Sequence, residues 1–370
     1  MEINNLITFI IGTRPEAIKL APVIKIFKKS KKIKIRVLLS GQHSAMVKQV
    51  MDLFELEEDK NLNLMKNNQS LNYITQEVLN GMRSEFLENM PRLVFVQGDT
   101  STAFAASLAA FYEKIPIAHV EAGLRTGKLL DPYPEEANRR LISQISTLHF
   151  APTEMARNNL ISAGIKENVI VTGNTIIDAL QMVSKLSDPL EIDGVNIKNK
   201  NLILVTVHRR ENWGLNLKNI AFGLRKIVEN DSSTILLIPL HKNPKVRDPL
   251  QKLLEGKKRI ILTEPLDYDK LISILKSCKF VITDSGGLQE EAPAFGKPVL
   301  VVRDTTERVE ALEAGCAKLI GTEKDNIYKE SMTLLNDPEK YSEMSKTKNP
   351  FGDGDSSEKI LDETLKFLKV

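Results

Sequence analysis

Cysteine and aromatic residues are scarce: the 370-residue chain has two cysteines, one tryptophan and 5% aromatic residues. Cys278 and Cys316 show neither metal-ligand nor CxxC spacing. That argues against a disulfide framework or a zinc site, and fits two small core thiols in a reducing compartment. The main basic cluster, KIFKKSKKIKIR (25–36), has few aromatics beside it. It reads as the solvated face and end of a helix, so no nucleic-acid partner is expected. No apolar run reaches the length that spans a bilayer. The opening MEINNLITFIIG is too short and too acidic at its start for a signal peptide, and a soluble cytoplasmic protein is expected. Neither a GxGxxG fingerprint nor a Walker lysine occurs, which weighs against a nicotinamide cofactor. No cofactor or metal is expected.

What is present is alternation. LITFIIG (6–12), IKIRVLLSG (33–41), RLVFVQG (92–98) and IPIAHVEAG (115–123) are apolar runs of strand length. Between them lie stretches of helical spacing, such as Ile18, Ala21, Val23, Ile26 and Phe27 after the first run. Continuous apolar strands alternating with amphipathic helices predict parallel sheets covered on both faces. SKLSDPLEIDGVNIKNKN (184–201) breaks the period and reads as a linker. The alternation then restarts with LILVTV, TILLIPL, RIILT, KFVIT and PVLVV, with helices predicted from near Asn216, Pro244, Tyr268, Gly287 and Glu307. The predicted architecture is α/β, two Rossmann-like doubly wound domains with a cleft between them. The first takes residues 1–185 plus 355–370 and the second 186–354.

In open parallel sheets ligands bind at the carboxyl ends of the strands, so the residues just after each strand are the candidates. GTRPEAIK (12–19) offers either an ordinary strand–turn–helix or an anion site of turn amides with Arg14 and Lys19. Asp99, after RLVFVQG, suits an N-cap. Glu121 and Arg125 follow IPIAHV. Glu135 and Glu136 suit a helix's first turn and i,i+4 pairing with Arg139 and Arg140. Taken singly, each carboxylate has a structural explanation.

The second half differs. HRRENWG (208–214), HKNP (241–244), DSGGLQEE (284–291) and RDTTER (303–308) place bases and hydroxyls after successive strands, a rim suited to a polyanion. In TDSGG, the amides of Gly286 and Gly287 would face a phosphate at a helix start. Glu291, four residues after Gly287, leans back toward that end and suits a ribose diol. Glu290 should point elsewhere, to the surface, and Pro293 should kink the helix. These residues alone leave an enzyme and a nucleotide-sugar sensor both open.

GTRPEAIK, QGDT, HVEAGLRTG, YPEEANR, TGN, HRRENWG, HKNP and DSGGLQEEAPAFGKPVLVVRDTTER, in this order across nearly the whole chain, resemble the non-hydrolysing UDP-N-acetylglucosamine 2-epimerases. The resemblance implies a glycosyltransferase-B-like fold, a homodimer, and interconversion of UDP-N-acetylglucosamine and UDP-N-acetylmannosamine for surface polysaccharide synthesis. It implies UDP contacts from Arg14, Lys19, His208, Ser285, Gly286, Gly287, Glu291 and Arg308, with Leu266 and Leu271 near the uracil. It implies Asp99, Glu121 and Glu135 as acid/base groups and His208 beside the leaving diphosphate, by elimination of UDP to 2-acetamidoglucal and re-addition. Departures exist: Val309 stands where proline is usual, and Ala45 and Asn68 where polar or basic contacts to an activating second nucleotide-sugar are usual, although Gln42 and His43 persist. Rival readings are a hydrolysing epimerase and a UDP-sugar glycosyltransferase of the same fold.

Overall fold

The structure, a computed structural model, describes residues 5–41, 44–64, 66, 69–185 and 200–370. Gln42, His43, Asn68 and most of the predicted linker (186–199) lie outside the described residues. The chain divides into two compact units, Met1–Met182 with Phe351–Val370, and Val183–Pro350.

The strands of unit 1 are β1 (Leu6–Ile11), β2 (Lys34–Leu39), β3 (Lys60–Asn61), β4 (Leu93–Gln97), β5 (Ile117–Val120), β6 (Leu148–Ala151) and β7 (Val169–Val171). They form one sheet in the order β3-β2-β1-β4-β5-β6-β7, and every pairing is parallel. In unit 2, β8 (Asn201–Thr206), β9 (Thr234–Pro239), β10 (Ile260–Thr263), β11 (Phe280–Thr283), β12 (Val299–Val301) and β13 (Ala317–Leu319) take the order β10-β9-β8-β11-β12-β13. These pairings are parallel as well. Each unit is therefore a doubly wound α/β sheet whose strand order reverses once, beside β1 in unit 1 and beside β8 in unit 2.

The few aromatics are concentrated in unit 1's core. Phe9 stacks on Phe95 at 4.7 Å and meets Phe27 edge-on at 5.3 Å, and Phe150 continues the stack. Unit 2 is held by aliphatics instead, with Ile203, Val205, Leu236, Ile238 and Ile282 buried under Leu217, Leu224 and Ile227. Fully burying each such side chain stabilises the fold by about 1.5–3 kcal/mol. Both thiols are buried, and burial pushes Cys278 up to about 12 and Cys316 up to about 11. No helix among the described residues is long and apolar enough to cross a membrane.

The predicted helix starts differ little from those observed. Helices begin at Leu215, Pro244, Tyr268, Gly286 and Val309. At Pro293 the chain does more than kink: the helix stops at Glu291 and Ala292–Phe295 forms a 3-10 turn, because proline has no N–H for an α-helical bond.

Candidate active site

In unit 1 the order reversal puts the turns after β1 and β4 side by side. The turn after β1 starts the helix Arg14–Lys29 with Pro15 in its first turn. Glu16 folds back so that its carboxylate accepts the N–H groups of Gly12 and Thr13, and its other oxygen accepts the Thr100 hydroxyl at 2.7 Å. The two amides that an anion site would need are thus donated to Glu16. Burial pushes this carboxyl up to about 7, although those hydrogen bonds favour its charged form. Gly12 is required by close approach: a Cβ there would lie 2.6 Å from the Thr102 hydroxyl. Arg14 is half-buried at the first helical position.

Asp99 does not cap the next helix, contrary to its simplest reading. Thr100 is the N-cap, accepting the Ala103 N–H at 3.0 Å, which leaves the Asp99 carboxylate to Arg139. Two guanidinium hydrogen bonds meet one Asp99 oxygen, at 2.6 and 3.1 Å, and Asn138 donates to the Asp99 carbonyl at 2.8 Å. Asn138 and Arg139 lie on the helix Glu135–Ile145. Glu136, fully buried there, holds Arg139 at 3.3 Å, Arg140 at 2.8 Å and the Thr126 N–H at 3.1 Å. It therefore ties Arg125's loop to the helix.

Glu121 follows β5 with φ at 63°, a left-handed conformation that costs a non-glycine residue of order 1 kcal/mol and occurs often at functional sites. One of its oxygens pairs with the Lys19 ammonium and the other accepts from the Gln97 amide. Asn174 donates to it at the long distance of 3.5 Å. Burial pushes the Asp99 carboxyl up and Arg139 opposes this, while Glu121 and Glu135 add to the rise. Glu121 and Glu135 thus each lie within electrostatic reach of Asp99. Lys19 is placed against Glu121.

In unit 2 the corresponding reversal joins the turns after β8 and β11 through Asp284, which is fully buried. Its carboxylate accepts the backbone N–H of His208 and of Arg209, each at 2.9 Å, and the Asn212 amide at 2.9 Å. The His208 Nδ1 lies 3.3 Å from it. The Nδ1 side of the ring therefore faces the carboxylate. The ring stacks on His241 with centroids 5.7 Å apart. Burial lowers the pKa of His208, the charges of Arg209, His241 and Arg303 lower it further, and Asp284 opposes them. His241 accepts the Asn243 N–H at 3.1 Å, a local turn contact.

Ser285 is the N-cap of the helix Gly286–Glu291, and its own N–H goes to the Thr283 hydroxyl at 2.9 Å. The two glycines differ. A Cβ on Gly286 would come within 2.8 Å of the Glu307 carboxylate, whereas one on Gly287 would make only an ordinary 3.8 Å contact with Ser285. Glu291 is 8% exposed. Glu290 is not the surface residue expected from its helix position. It is 1% exposed and holds Arg308 at 2.6 Å, because the segment after β12 packs over that side of the helix. Leu266 follows β10 and Leu271 lies in the first turn of the next helix; both are half-buried.

The basic rim also has its own counter-charges. Arg303 pairs with Glu211 at 2.7 Å and Glu307 at 2.9 Å, and Arg209 with Glu307 at 2.9 Å. Burial would raise Glu307, but Arg308, Arg209 and Arg303 outweigh it and bring the carboxyl down to about 2. Arg139, Asn138, Gln97, Glu16, Asp284 and Glu307 were not among the predicted site residues. Each also reaches a partner remote in sequence, such as Glu16 to Thr100, Arg139 to Asp99, Asp284 to His208 and Glu307 to Arg209, so the local signal was a polar residue with no full set of nearby partners, such as Asp284 directly after an apolar strand. Among the described residues, no three His, Cys, Asp or Glu side chains are grouped to hold a metal ion.

The family model for UDP-N-acetylglucosamine 2-epimerase matches residues 25–365. The UDP-N-acetylglucosamine 2-epimerase of Neisseria meningitidis is 47% identical over 364 residues, covering 96% of this chain and 98% of the relative. That of Campylobacter jejuni is 45% identical, covering 97% of each. The crystal structure of a Neisseria meningitidis UDP-GlcNAc 2-epimerase bound to UDP-GlcNAc superposes with a TM-score of 0.91 at 45% identity, over 98% of this chain and 100% of that one. The Methanocaldococcus jannaschii enzyme in complex with UDP-GlcNAc and UDP gives 0.81 at 34% identity, over 98% and 99%. With two reversed parallel sheets, an acidic group after β4 and β5, and this likeness along nearly its whole length, the chain belongs to the UDP-N-acetylglucosamine 2-epimerase family.

Proposed function

We propose that the protein interconverts UDP-N-acetylglucosamine and UDP-N-acetylmannosamine without hydrolysis, by eliminating UDP and adding it back. The observation that carries this reading is the grouping of Asp99, Glu121 and Glu135, in which the two glutamates push Asp99 upward. The proton on C2 lies next to no carbonyl, so it becomes acidic only as positive charge develops at C1. The C1–O bond breaks with its electron pair going to the diphosphate, a carboxylate takes the C2 proton, and the C2–H pair becomes the C1=C2 bond of 2-acetamidoglucal. Return of a proton to the other face of C2 and of a phosphate oxygen to C1 completes the inversion.

The environments suit divided roles. Glu121, paired with the Lys19 ammonium, suits the base. Asp99, raised in pKa by burial and by its acidic neighbours, suits the group that carries a proton back. Glu135 supports the positive charge at C1. Arg14, Ser285, Gly286, Gly287 and Arg308 hold the diphosphate, Glu291 the ribose, and Leu266 and Leu271 the uracil. His208 is the acid or anchor for the departing diphosphate: its pKa is lowered in the free protein, and a dianion beside it would favour its charged form again.

The test is incubation with UDP-N-acetylglucosamine alone, followed by proton NMR. The expected product is the manno epimer still joined to UDP. Free N-acetylmannosamine would mean hydrolysis, UDP release that an added acceptor accelerates would mean glycosyl transfer, and no turnover under either condition would mean a sensor.

A further inference from the structure

We propose that Glu307 is a positioning residue for the diphosphate: it sets the spacing and orientation of the Arg209, Arg303 and Arg308 guanidiniums. The inference deepens the proposed function and rests on its reading of Arg308 as a UDP ligand. Glu307 follows β12 in the RDTTER segment, and its two oxygens serve different partners. Oε1 takes Arg209 Nη2 at 2.9 Å and lies 3.8 Å from Arg308 Nη1, while Oε2 takes Arg303 Nη1 at 2.9 Å. Only 16% of the Glu307 side chain is exposed, against 8% for Arg303 and 11% for Arg308. Each outer side of the cluster has its own brace. Arg303 reaches Glu211 at 2.7 Å, Arg308 reaches Glu290 at 2.6 Å, and the Arg308 N–H bonds the Thr306 hydroxyl at 3.1 Å.

Guanidiniums this close repel one another, more strongly as they leave water. A carboxylate at their centre holds them in one arrangement before any ligand arrives, and preorganised donors bind anions better than donors that must first be gathered. The cluster also lies directly against Gly286. A Cβ on Gly286 would approach Glu307 Oε1 at 2.8 Å and Arg209 Nη2 at 3.4 Å. Glycine at 286 therefore makes room for Glu307 as well as for a ligand, and this explains why carboxylates sit beside a loop suited to phosphate.

A positioning carboxylate and a mere counter-ion make opposite predictions. Glu307→Gln removes one negative charge beside the proposed diphosphate site. If Glu307 only offset the arginines, UDP would bind the variant more tightly; if it positions them, UDP should bind about tenfold or more weakly despite the added positive charge. The measurement is calorimetric titration of UDP into the full-length wild-type protein and the variant. Equal or tighter binding by Glu307→Gln would overturn the inference. Glu307→Asp keeps the charge but withdraws the carboxylate by one methylene, so it should also bind UDP more weakly. An affinity equal to that of the wild type would likewise overturn the inference, even if the glutamine variant fails to fold. A wild-type protein that does not bind UDP would instead remove the reading of Arg308 on which the inference rests.

Discussion

Replacing Glu121 with glutamine is expected to lower kcat by about a hundredfold to ten-thousandfold, the range for loss of a general base. The isosteric amide keeps the shape of the site, but its single carbonyl oxygen can accept from only one of Lys19 and Gln97, which donate to different oxygens of Glu121. It also loses the charge. The Lys19 and Glu121 side chains are only 11% and 7% exposed, so the variant takes the carboxylate charge away from an ammonium in a largely dry setting. Breaking a buried pair from one side costs about 3–5 kcal/mol, and denaturant unfolding should show a loss of that order. The two measurements separate the roles. Lost stability with unchanged kcat would make Glu121 a structural partner of Lys19, and lost kcat in a folded variant supports the base.

Asp284→Asn is expected to destabilise unit 2 by about 3 kcal/mol or more and to abolish UDP binding. Asp284 accepts from the His208 and Arg209 amides and from Asn212, with no exposed surface of its own. All three donors converge on Oδ2, so an amide oxygen there can still accept them but without the charge, while its NH2 group faces His208 on the Oδ1 side. Hydrogen bonds to a charged group are worth about 1.5–3 kcal/mol against about 1 kcal/mol for neutral ones, so three such bonds lose about 3 kcal/mol together. The turn bearing His208 and Arg209 would be held less tightly to the turn bearing Ser285. A urea denaturation curve within 1 kcal/mol of wild type (a difference set by these same hydrogen-bond energies) would contradict this account of how the two turns are joined.

The α/β alternation was legible because strands buried on both faces read as continuous apolar runs, as in β1, β4, β8 and β11. The strands missing from the sequence reading are β3, β6, β7 and β13, each of two to four residues and lacking the longer apolar run that marks the equally short β11 and β12 in KFVIT and PVLVV. The helices Glu154–Ser162, Lys324–Asn336 and Pro338–Ser345 were missed for a related reason: their exposed faces are polar and their buried stripes narrow, so they blend with loop composition. At the site, positions just after strands were legible because parallel sheets direct them to one edge. Pairings were not. Arg139 was expected to bond along its own helix, and it does so to Glu136, but it also reaches Asp99, 40 residues earlier. Glu290 was assigned to the surface by helix geometry alone, and only the packing of the segment carrying Arg308 buries it.

The central claim is that a carboxylate of unit 1 takes the C2 proton while the bond to UDP is broken, and turnover in deuterated water tests it most directly. Solvent deuterium should appear at C2 in both UDP-N-acetylhexosamine epimers as they approach equilibrium. An inverted product that keeps its original C2 hydrogen would contradict the account.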